Sequence, residues 1–145
     1  MDSLWDKRFL DLARYVAQWS KDPSTQTGAV IVDPFRRVLS LGFNGFPRGV
    51  IDSPERLNDR EIKYKMIVHC ERNAIVYART SVVGATLYTW PFASCSPCAG
   101  MVIQAGITRC VAPTPSDDIL SRWRNDLEIT GQMYKEAGVM LDILD

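Results

Sequence analysis

The residues best suited to chemistry lie in two short motifs. The single histidine of the chain, His69, stands two residues before Glu71. A Cys-x-x-Cys pair, Cys95 and Cys98, follows a predicted strand and begins a predicted helix. This spacing lets both sulfurs turn toward one point, and a helix N-terminus favours the thiolate form. Together the motifs offer an imidazole, two thiols and a carboxylate.

The cysteine pair allows three interpretations. It could be a redox dithiol, half of a structural zinc site with four protein ligands, or two of the three protein ligands of a catalytic zinc. Cys70 adjoins His69 and is expected to point elsewhere, and Cys110 lies inside a predicted strand. A closed four-ligand site is therefore awkward to build, whereas an open site of His69, Cys95 and Cys98 is easy.

Glu71 fits the open site if the helix that carries it begins near His69. In mid-helix, two residues this far apart in sequence would point ~200° away from each other. At the first turn, the carboxylate could reach a water on the metal without becoming a ligand. Zinc lowers the pKa of such a water to about 7, and a neighbouring carboxylate can move the proton. The alternative is a glutamate that favours the helix dipole.

Apolar periodicity and turn residues indicate the elements that position these motifs. Helices are predicted over 4–19, 69–79, 98–105 and 117–137, and strands over 28–33, 37–42, 85–90, 109–112 and 139–144. The first two strands are expected to form a hairpin, and residues 50–68 are only partly helical. The order αββαβαβαβ predicts an α/β fold, a three-layer α-β-α sandwich around a mixed five-stranded sheet, in one domain over 1–145.

Composition narrows the classes of partner. Lys plus Arg and Asp plus Glu number 17 each in 145 residues, so no basic excess favours nucleic acid as a partner. No apolar run reaches the ~18–20 residues of a membrane span, and residues 1–8 lack a signal-peptide layout. We expect a cytoplasmic protein with no membrane partner, whose four cysteines are thiols or metal ligands rather than disulfides.

The motifs and their surroundings resemble the deoxycytidylate (dCMP) deaminase family of the cytidine deaminase superfamily. His-x-Glu followed by Cys-x-x-Cys is the zinc-deaminase signature. The resemblance spans almost the whole chain and is carried by four segments in the same order, namely SKDPSTQTGA at 20–29, GFNGFP at 42–47, HCERNAI at 69–75 and IQAGI at 103–107.

The chain departs from the family pattern at two positions. The family usually has alanine between the histidine and the glutamate, where this chain has Cys70. It usually has proline directly before the first zinc cysteine, where this chain has Ser94. Neither departure removes a ligand. Some relatives bind an additional structural zinc through further histidines, which a chain with one histidine is not expected to do.

The resemblance implies one catalytic zinc ion and hydrolytic loss of ammonia from C4 of cytosine. Zinc would activate the attacking water, and Glu71 would carry protons to N3 and to the leaving amine. The substrate would be dCMP, giving dUMP for thymidylate synthesis, with dCTP as a further substrate. The alternatives are a deaminase of another base (tRNA adenosine, guanine or free cytidine), a thioredoxin-like redox protein and a non-catalytic zinc module.

The resemblance also implies which residues meet the nucleotide. Asn44 would bind the sugar hydroxyl, or it is simply a residue of an Asn-Gly turn. The candidates for the base pocket are Cys70, Ser94 and Ala29, although Ala29 could simply begin a strand. Independently of the resemblance, a nucleotide needs a cationic partner for its phosphate; the candidates are Lys21 first, in the loop after the first helix, and then Arg48, Arg122 and Arg124, although most such side chains are only solvated surface charges. Trp123 would cover the substrate or belong to the core.

Regulation is a further implication of the resemblance. Many deoxycytidylate deaminases are homohexamers that dCTP activates and dTTP inhibits. The corresponding effector site in this chain would involve Gly45 and Arg48 in the loop at 44–49, together with Tyr77 and Arg79 on the following helix.

Overall fold

The computed structural model describes residues 3–145, which form six helices and five strands. The helices are α1 (Ser3–Ala17), α2 (Pro54–Asn58), α3 (Arg60–Met66), α4 (Cys70–Tyr77), α5 (Ser96–Gln104) and α6 (Asp117–Ala137). The strands are β1 (Gly28–Val32), β2 (Val38–Phe43), β3 (Thr86–Trp90), β4 (Arg109–Pro113) and β5 (Met140–Leu144). The predicted order lacked α2 and α3, which lie in the segment 50–68 and are capped by Ser53 and Asp59.

One mixed sheet with the strand order β2-β1-β3-β4-β5 organises the chain. Strand β1 is antiparallel to both β2 and β3, and the predicted hairpin is its pairing with β2. Strands β3, β4 and β5 run parallel to one another, because helices α5 and α6 connect them. The predicted α/β class with five mixed strands is confirmed.

Alternate residues of β1 enter two separate hydrophobic cores, which makes the fold three-layered. Ala29 and Ile31 pack with α4, α5 and α6 on one face of the sheet. Val30 and Val32 pack with α1 on the other face. All five residues of β1 are buried, as expected for a central strand covered on both sides.

Two glycines allow helices to approach the sheet closely. A Cβ atom on Gly28 would collide with backbone atoms of Ala13 and Ala17 in α1. A Cβ atom on Gly42 would collide with backbone atoms of Cys70 and Ala74 in α4. Gly42 therefore sets how close the first turn of α4, and with it the His-x-Glu motif, lies to the sheet.

A buried ionic cluster fastens α1 to the parallel strands. The Asp6 carboxylate accepts hydrogen bonds from Arg109 at 2.7 and 2.9 Å and from the Tyr88 hydroxyl at 2.7 Å. Arg109 also donates to Asp142 at 2.8 Å. The Arg109 hydrogen bonds are the main cause that holds the pKa of Asp6 below its ordinary value.

Within residues 3–145, no helix combines the length and the apolar character that crossing a membrane requires.

Candidate active site

Two helix N-termini bring one imidazole and two sulfurs together. His69 is the N-cap of α4 and Cys95 is the N-cap of α5, both with extended backbone, and Cys98 lies in the first turn of α5. The His69 Nδ1 atom is 3.2 Å from Cys98 Sγ and 3.3 Å from Cys95 Sγ. All three ligand atoms lie within 4.8 Å of one another.

These three residues, the metal triad, fit a zinc ion. Tetrahedral zinc with ordinary Zn–N and Zn–S lengths places nitrogen and sulfur ligands ~3.6 Å apart, close to the separations in the triad. Among the described residues, no other His, Cys, Asp or Glu joins this group, and all four cysteines are free thiols. The donor set is therefore that of an open, three-ligand zinc site, and zinc is the cofactor it suits.

The triad is electrostatically prepared for a cation. Hydrogen bonds from Cys98 and then His69 lower the pKa of Cys95 to about 5, while sharing a proton with Cys95 raises the pKa of Cys98. The Arg72 Nε atom donates to Cys98 Sγ at 3.2 Å, a charge-assisted hydrogen bond that favours the thiolate form that a metal ion requires. A metal ion would bind here with release of the proton that the two thiols share.

Glu71 lies beside the triad without joining it. Its carboxylate belongs to the first turn of α4 and its residue is only 5% exposed. Oε1 is 4.0 Å from His69 Nδ1. Oε2 accepts hydrogen bonds from Ser94 Oγ at 3.0 Å and from Cys70 Sγ at 3.6 Å. A buried carboxylate at this distance from a metal ligand can hold or move a proton next to the ion.

Helix α6 fixes the loop that carries Cys95. The Asp126 carboxylate accepts hydrogen bonds from Ser96 N at 2.9 Å and from Ser96 Oγ at 2.6 Å. One turn later, Thr130 Oγ1 donates to the carbonyl oxygen of Ser94 at 2.8 Å. The two contacts bracket Cys95, so its position depends on a helix 30 residues away in sequence.

A cavity of about 260 Å³ opens over His69, Cys95 and Glu71. Its walls combine aromatic or apolar side chains with a few polar ones. They come from the 22–27 loop, the residue after β2, α3 and the segment between α3 and α4, α4 itself, the loop before α5, and the first half of α6. The lining residues are Asp22, Ser24, Thr25, Thr27, Asn44, Lys63, Tyr64, Ile67, His69, Cys70, Glu71, Phe92, Ala93, Cys95, Arg122 and Trp123.

Comparison with known proteins places the chain in a family. The sequence model described as "Cytidine and deoxycytidylate deaminase zinc-binding region" matches residues 3–114. The chain belongs to this family. It is 44% identical over 139 residues to an uncharacterized deaminase of the luxG 3′ region of Aliivibrio fischeri, covering 96% of this chain and 92% of that protein.

One curated relative and one solved structure of similar fold are named for the same substrate. The chain is 38% identical over 113 residues to human deoxycytidylate deaminase, covering 74% of this chain and 63% of the human protein, so it spans about three fifths of that relative. The dCMP deaminase of the cyanophage S-TIM5, crystallised with dCMP and dUMP, shares the fold with a TM-score of 0.75 over 99% of both chains, at 20% identity.

Several of the candidate site residues predicted from the sequence line the cavity. Asn44, Cys70, Arg122 and Trp123 all line it, together with His69, Cys95 and Glu71. Trp123 is half-buried at the cavity wall rather than enclosed in either core.

Three other candidate residues do not line the cavity. Lys21 does not line the cavity; its side chain is 72% exposed and pairs with Asp52 at 3.0 Å. Ala29 is fully buried in the core beneath α4, because it faces that side of central strand β1. Ser94 lies behind the cavity wall, where its hydroxyl contacts Glu71.

The side-chain amide of Asn44 hydrogen-bonds to the loop between α1 and β1. Its Nδ2 donates to Thr25 O at 2.9 Å and to Asp22 Oδ2 at 3.3 Å, and its Oδ1 accepts from Thr27 N at 2.9 Å. The amide thereby shapes the cavity wall formed by residues 22–27. Asn44 therefore both stabilises the 22–27 loop and lines the cavity.

Sequence reasoning missed a buried ion pair in the cavity wall. Lys63 of α3 donates to Asp22 Oδ1 at 2.9 Å, and the two side chains are 8% and 6% exposed. Asp22 also accepts from Ser24 N and Thr25 N. The only local signal was the Asp-Pro-Ser turn at 22–24, since the lysine partner comes 41 residues later.

The candidate residues for an effector site do not line the cavity. The Arg48 guanidinium stacks 5.7 Å from the centre of the Tyr77 ring, at the C-terminal end of α4. Gly45 exchanges two backbone hydrogen bonds with Val68, directly before His69. Arg79 is exposed just beyond α4.

Proposed function

We propose that the protein catalyses the zinc-dependent hydrolytic deamination of dCMP to dUMP. The observation that carries this proposal is the open triad with buried Glu71 at the floor of a cavity. Family membership and relatives named deoxycytidylate deaminase support the choice of base and nucleotide. The triad residues His69, Cys95 and Cys98 would hold the ion.

In the proposed reaction, the zinc ion would activate the attacking water and the protein would transfer the protons. A zinc ion with three protein ligands acts as a Lewis acid and makes water nucleophilic at neutral pH. Glu71 would take a proton from the attacking water and give it to N3 of cytosine, and would then carry the remaining hydroxyl proton to the amine, which leaves as ammonia. Its burial excludes bulk water from these transfers, so the proton goes to the substrate rather than to solvent.

The cavity walls suit a pyrimidine ring with a sugar phosphate. Tyr64, Phe92 and Trp123 offer aromatic surface for the flat base. Arg122 is the best candidate for the phosphate, because its partner Asp118 is 78% exposed and such a surface pair is weak. Lys63 is a poorer candidate, since the Asp22 carboxylate already neutralises it.

A substrate panel tests this proposal. Zinc-loaded protein would be assayed for ammonia release from dCMP, dCTP, deoxycytidine, guanine and an adenosine-containing tRNA stem-loop. We expect dCMP to exceed deoxycytidine in kcat/KM. Replacing Arg122 by Gln should raise the KM for dCMP ~10–100-fold, because a charge-assisted contact is lost. The matched Arg124→Gln variant should behave as wild type, since Arg124 does not line this cavity. Equal kcat/KM for dCMP and deoxycytidine would exclude a phosphate site.

The same panel decides among the rival functions. Preference for guanine or the tRNA stem-loop would identify a deaminase of another base. Absence of any deamination by protein with one bound zinc per chain would favour a non-catalytic zinc module. A redox protein would instead reduce an insulin disulfide through Cys95 and Cys98 without needing zinc.

We further infer regulation by dCTP and dTTP in a homohexamer, in the cytoplasm where the thiols stay reduced. The support is the Arg48–Tyr77 stack, which connects the 44–49 loop to the helix that begins with Cys70 and Glu71. Activity against dCMP at increasing dCTP and dTTP, with sedimentation of each state, tests this inference. The Arg48→Gln and Arg79→Gln variants should lose the response to effectors, and an unregulated monomer would contradict it.

A further inference from the structure

Two buried side chains meet at a single oxygen atom of the Glu71 carboxylate. Ser94 Oγ donates to Glu71 Oε2 at 3.0 Å. Cys70 Sγ donates to the same Oε2 at 3.6 Å. All three residues are at most 5% exposed. Both donors are side-chain groups, so a substitution at either position removes one contact to the carboxylate.

The two oxygens of the Glu71 carboxylate have different surroundings. Oε2 is held from two sides, whereas Oε1 faces the metal triad, 4.0 Å from His69 Nδ1. We propose that Ser94 is a positioning residue that fixes the Glu71 carboxylate so that Oε1 is the proton-carrying oxygen, with Cys70 as a second anchor. The proposal rests on the proposed deaminase function of the site.

Ser94 is itself held rigidly, as a positioning residue must be. Its carbonyl oxygen accepts the 2.8 Å hydrogen bond from Thr130, a residue with no exposed surface. The next two residues of the loop are Cys95, a member of the triad, and Ser96, which Asp126 holds. Ser94 does not line the cavity, so its hydroxyl acts on the substrate only through Glu71.

Removal of the hydroxyl is the first test. Ser94→Ala should lower kcat ~10–100-fold, the range expected when a carboxylate loses one hydrogen bond. The KM should stay within about twofold, because Ser94 lies outside the cavity wall. Ser94→Thr, which keeps the hydroxyl, should recover most of the activity. The control is Ser40→Ala, the same change at a buried serine of β2 away from the site, which should leave kcat unchanged.

The second anchor gives an independent check. Cys70→Ala should lower kcat by less than Ser94→Ala, since a thiol at 3.6 Å is a weak donor. In the double variant the two losses should not multiply as independent effects, because both donors act on one oxygen. Strictly multiplicative losses would contradict a shared target.

A crystal structure of zinc-loaded Ser94→Ala separates this inference from the proposed function, because it needs no activity. We expect the Glu71 carboxylate to rotate or to occupy two conformers, whereas the wild type holds one. An unmoved carboxylate overturns the proposal even if dCMP is the substrate. A rotated carboxylate supports it even if the substrate panel identifies another base. Loss of bound zinc, or an effect confined to KM, would assign Ser94 to the metal loop or to substrate binding and would overturn the proposal.

Discussion

The buried Asp22–Lys63 pair gives the sharpest prediction about how the cavity is built. Lys63→Met keeps most of the length and apolar surface of the side chain but removes the ammonium that lies 2.9 Å from Asp22. The Asp22 carboxylate would stay buried at 6% exposure without its cation. Breaking a buried pair by removing one partner destabilises proteins by about 3–5 kcal/mol.

The remaining donors to Asp22 place the expected loss at the lower end of that range. Its oxygens still accept hydrogen bonds from Ser24 N, Thr25 N and the Asn44 amide. We therefore expect Lys63→Met to lower the free energy of unfolding by about 3 kcal/mol. In a chain of this size the midpoint of thermal unfolding should fall by about 10 °C.

Urea unfolding at fixed zinc concentration measures the effect, because bound metal stabilises the folded state. The matched control is Lys65→Met in the same helix, whose side chain is 75% exposed and pairs only with exposed Glu61 at 3.5 Å. It should change the free energy of unfolding by less than about 0.5 kcal/mol. The Asp22→Asn/Lys63→Met double variant should recover part of the loss. Equal losses for the two lysine variants would refute the reasoning.

Three more changes probe the proton carrier, the ionic cluster and the helix approach. Glu71→Gln should keep one zinc per chain while lowering kcat at least ~100-fold, measured by metal analysis and ammonia release; unchanged turnover would contradict its role. Asp6→Asn should destabilise by about 2–3 kcal/mol at pH 7, because the Asp6 pKa lies below its ordinary value of 3.8 beside Arg109. That difference in unfolding free energy should disappear as pH falls through the lowered pKa, and a pH-independent difference would count against the ion pair. Gly42→Ala should lower both stability and zinc affinity, since its Cβ would collide with the α4 backbone, whereas Gly131→Ala has open space and should be neutral or stabilising.

The elements could be predicted from sequence because local patterns determine them. The sequence predicts a strand over 28–33 and a helix over 98–105, and the structure places β1 and α5 there. Strand β1 consists of consecutive small or apolar residues because helices cover both of its faces. The sequence alone does not show that both faces are covered. The segment 50–68 was predicted to be partly helical, but the bounds of α2 and α3 could not be predicted, because their mixed charges lack an apolar period and side-chain caps start both helices.

The metal triad was predictable for a different reason. Each motif sits at a helix start, and the types and spacing of the residues restrict the chemistry before any tertiary contact is known. The features that hold the triad were not predictable, since they join distant segments. Asp126 and Ser96 are 30 residues apart, and Thr130 and Ser94 are 36 apart.

Which cationic side chains lie at the cavity could not be predicted from the sequence. Lys21 was favoured because it follows the first helix, yet it is exposed and paired outside the cavity. Lys63 lies in the segment 50–68, for which the sequence predicts no element bounds. Its side chain is buried, although lysine is among the residues least often found in protein interiors. The burial of Lys63 depends on Asp22, a contact that neither residue's neighbours reveal.

Zinc K-edge X-ray absorption on the zinc-loaded protein tests the central claim most directly. The account predicts one zinc per chain with two sulfur neighbours at about 2.3 Å and lighter nitrogen or oxygen neighbours at about 2.0–2.1 Å. A shell of four sulfurs, or a shell with none, would contradict the assignment of His69, Cys95 and Cys98 as the residues that hold the ion.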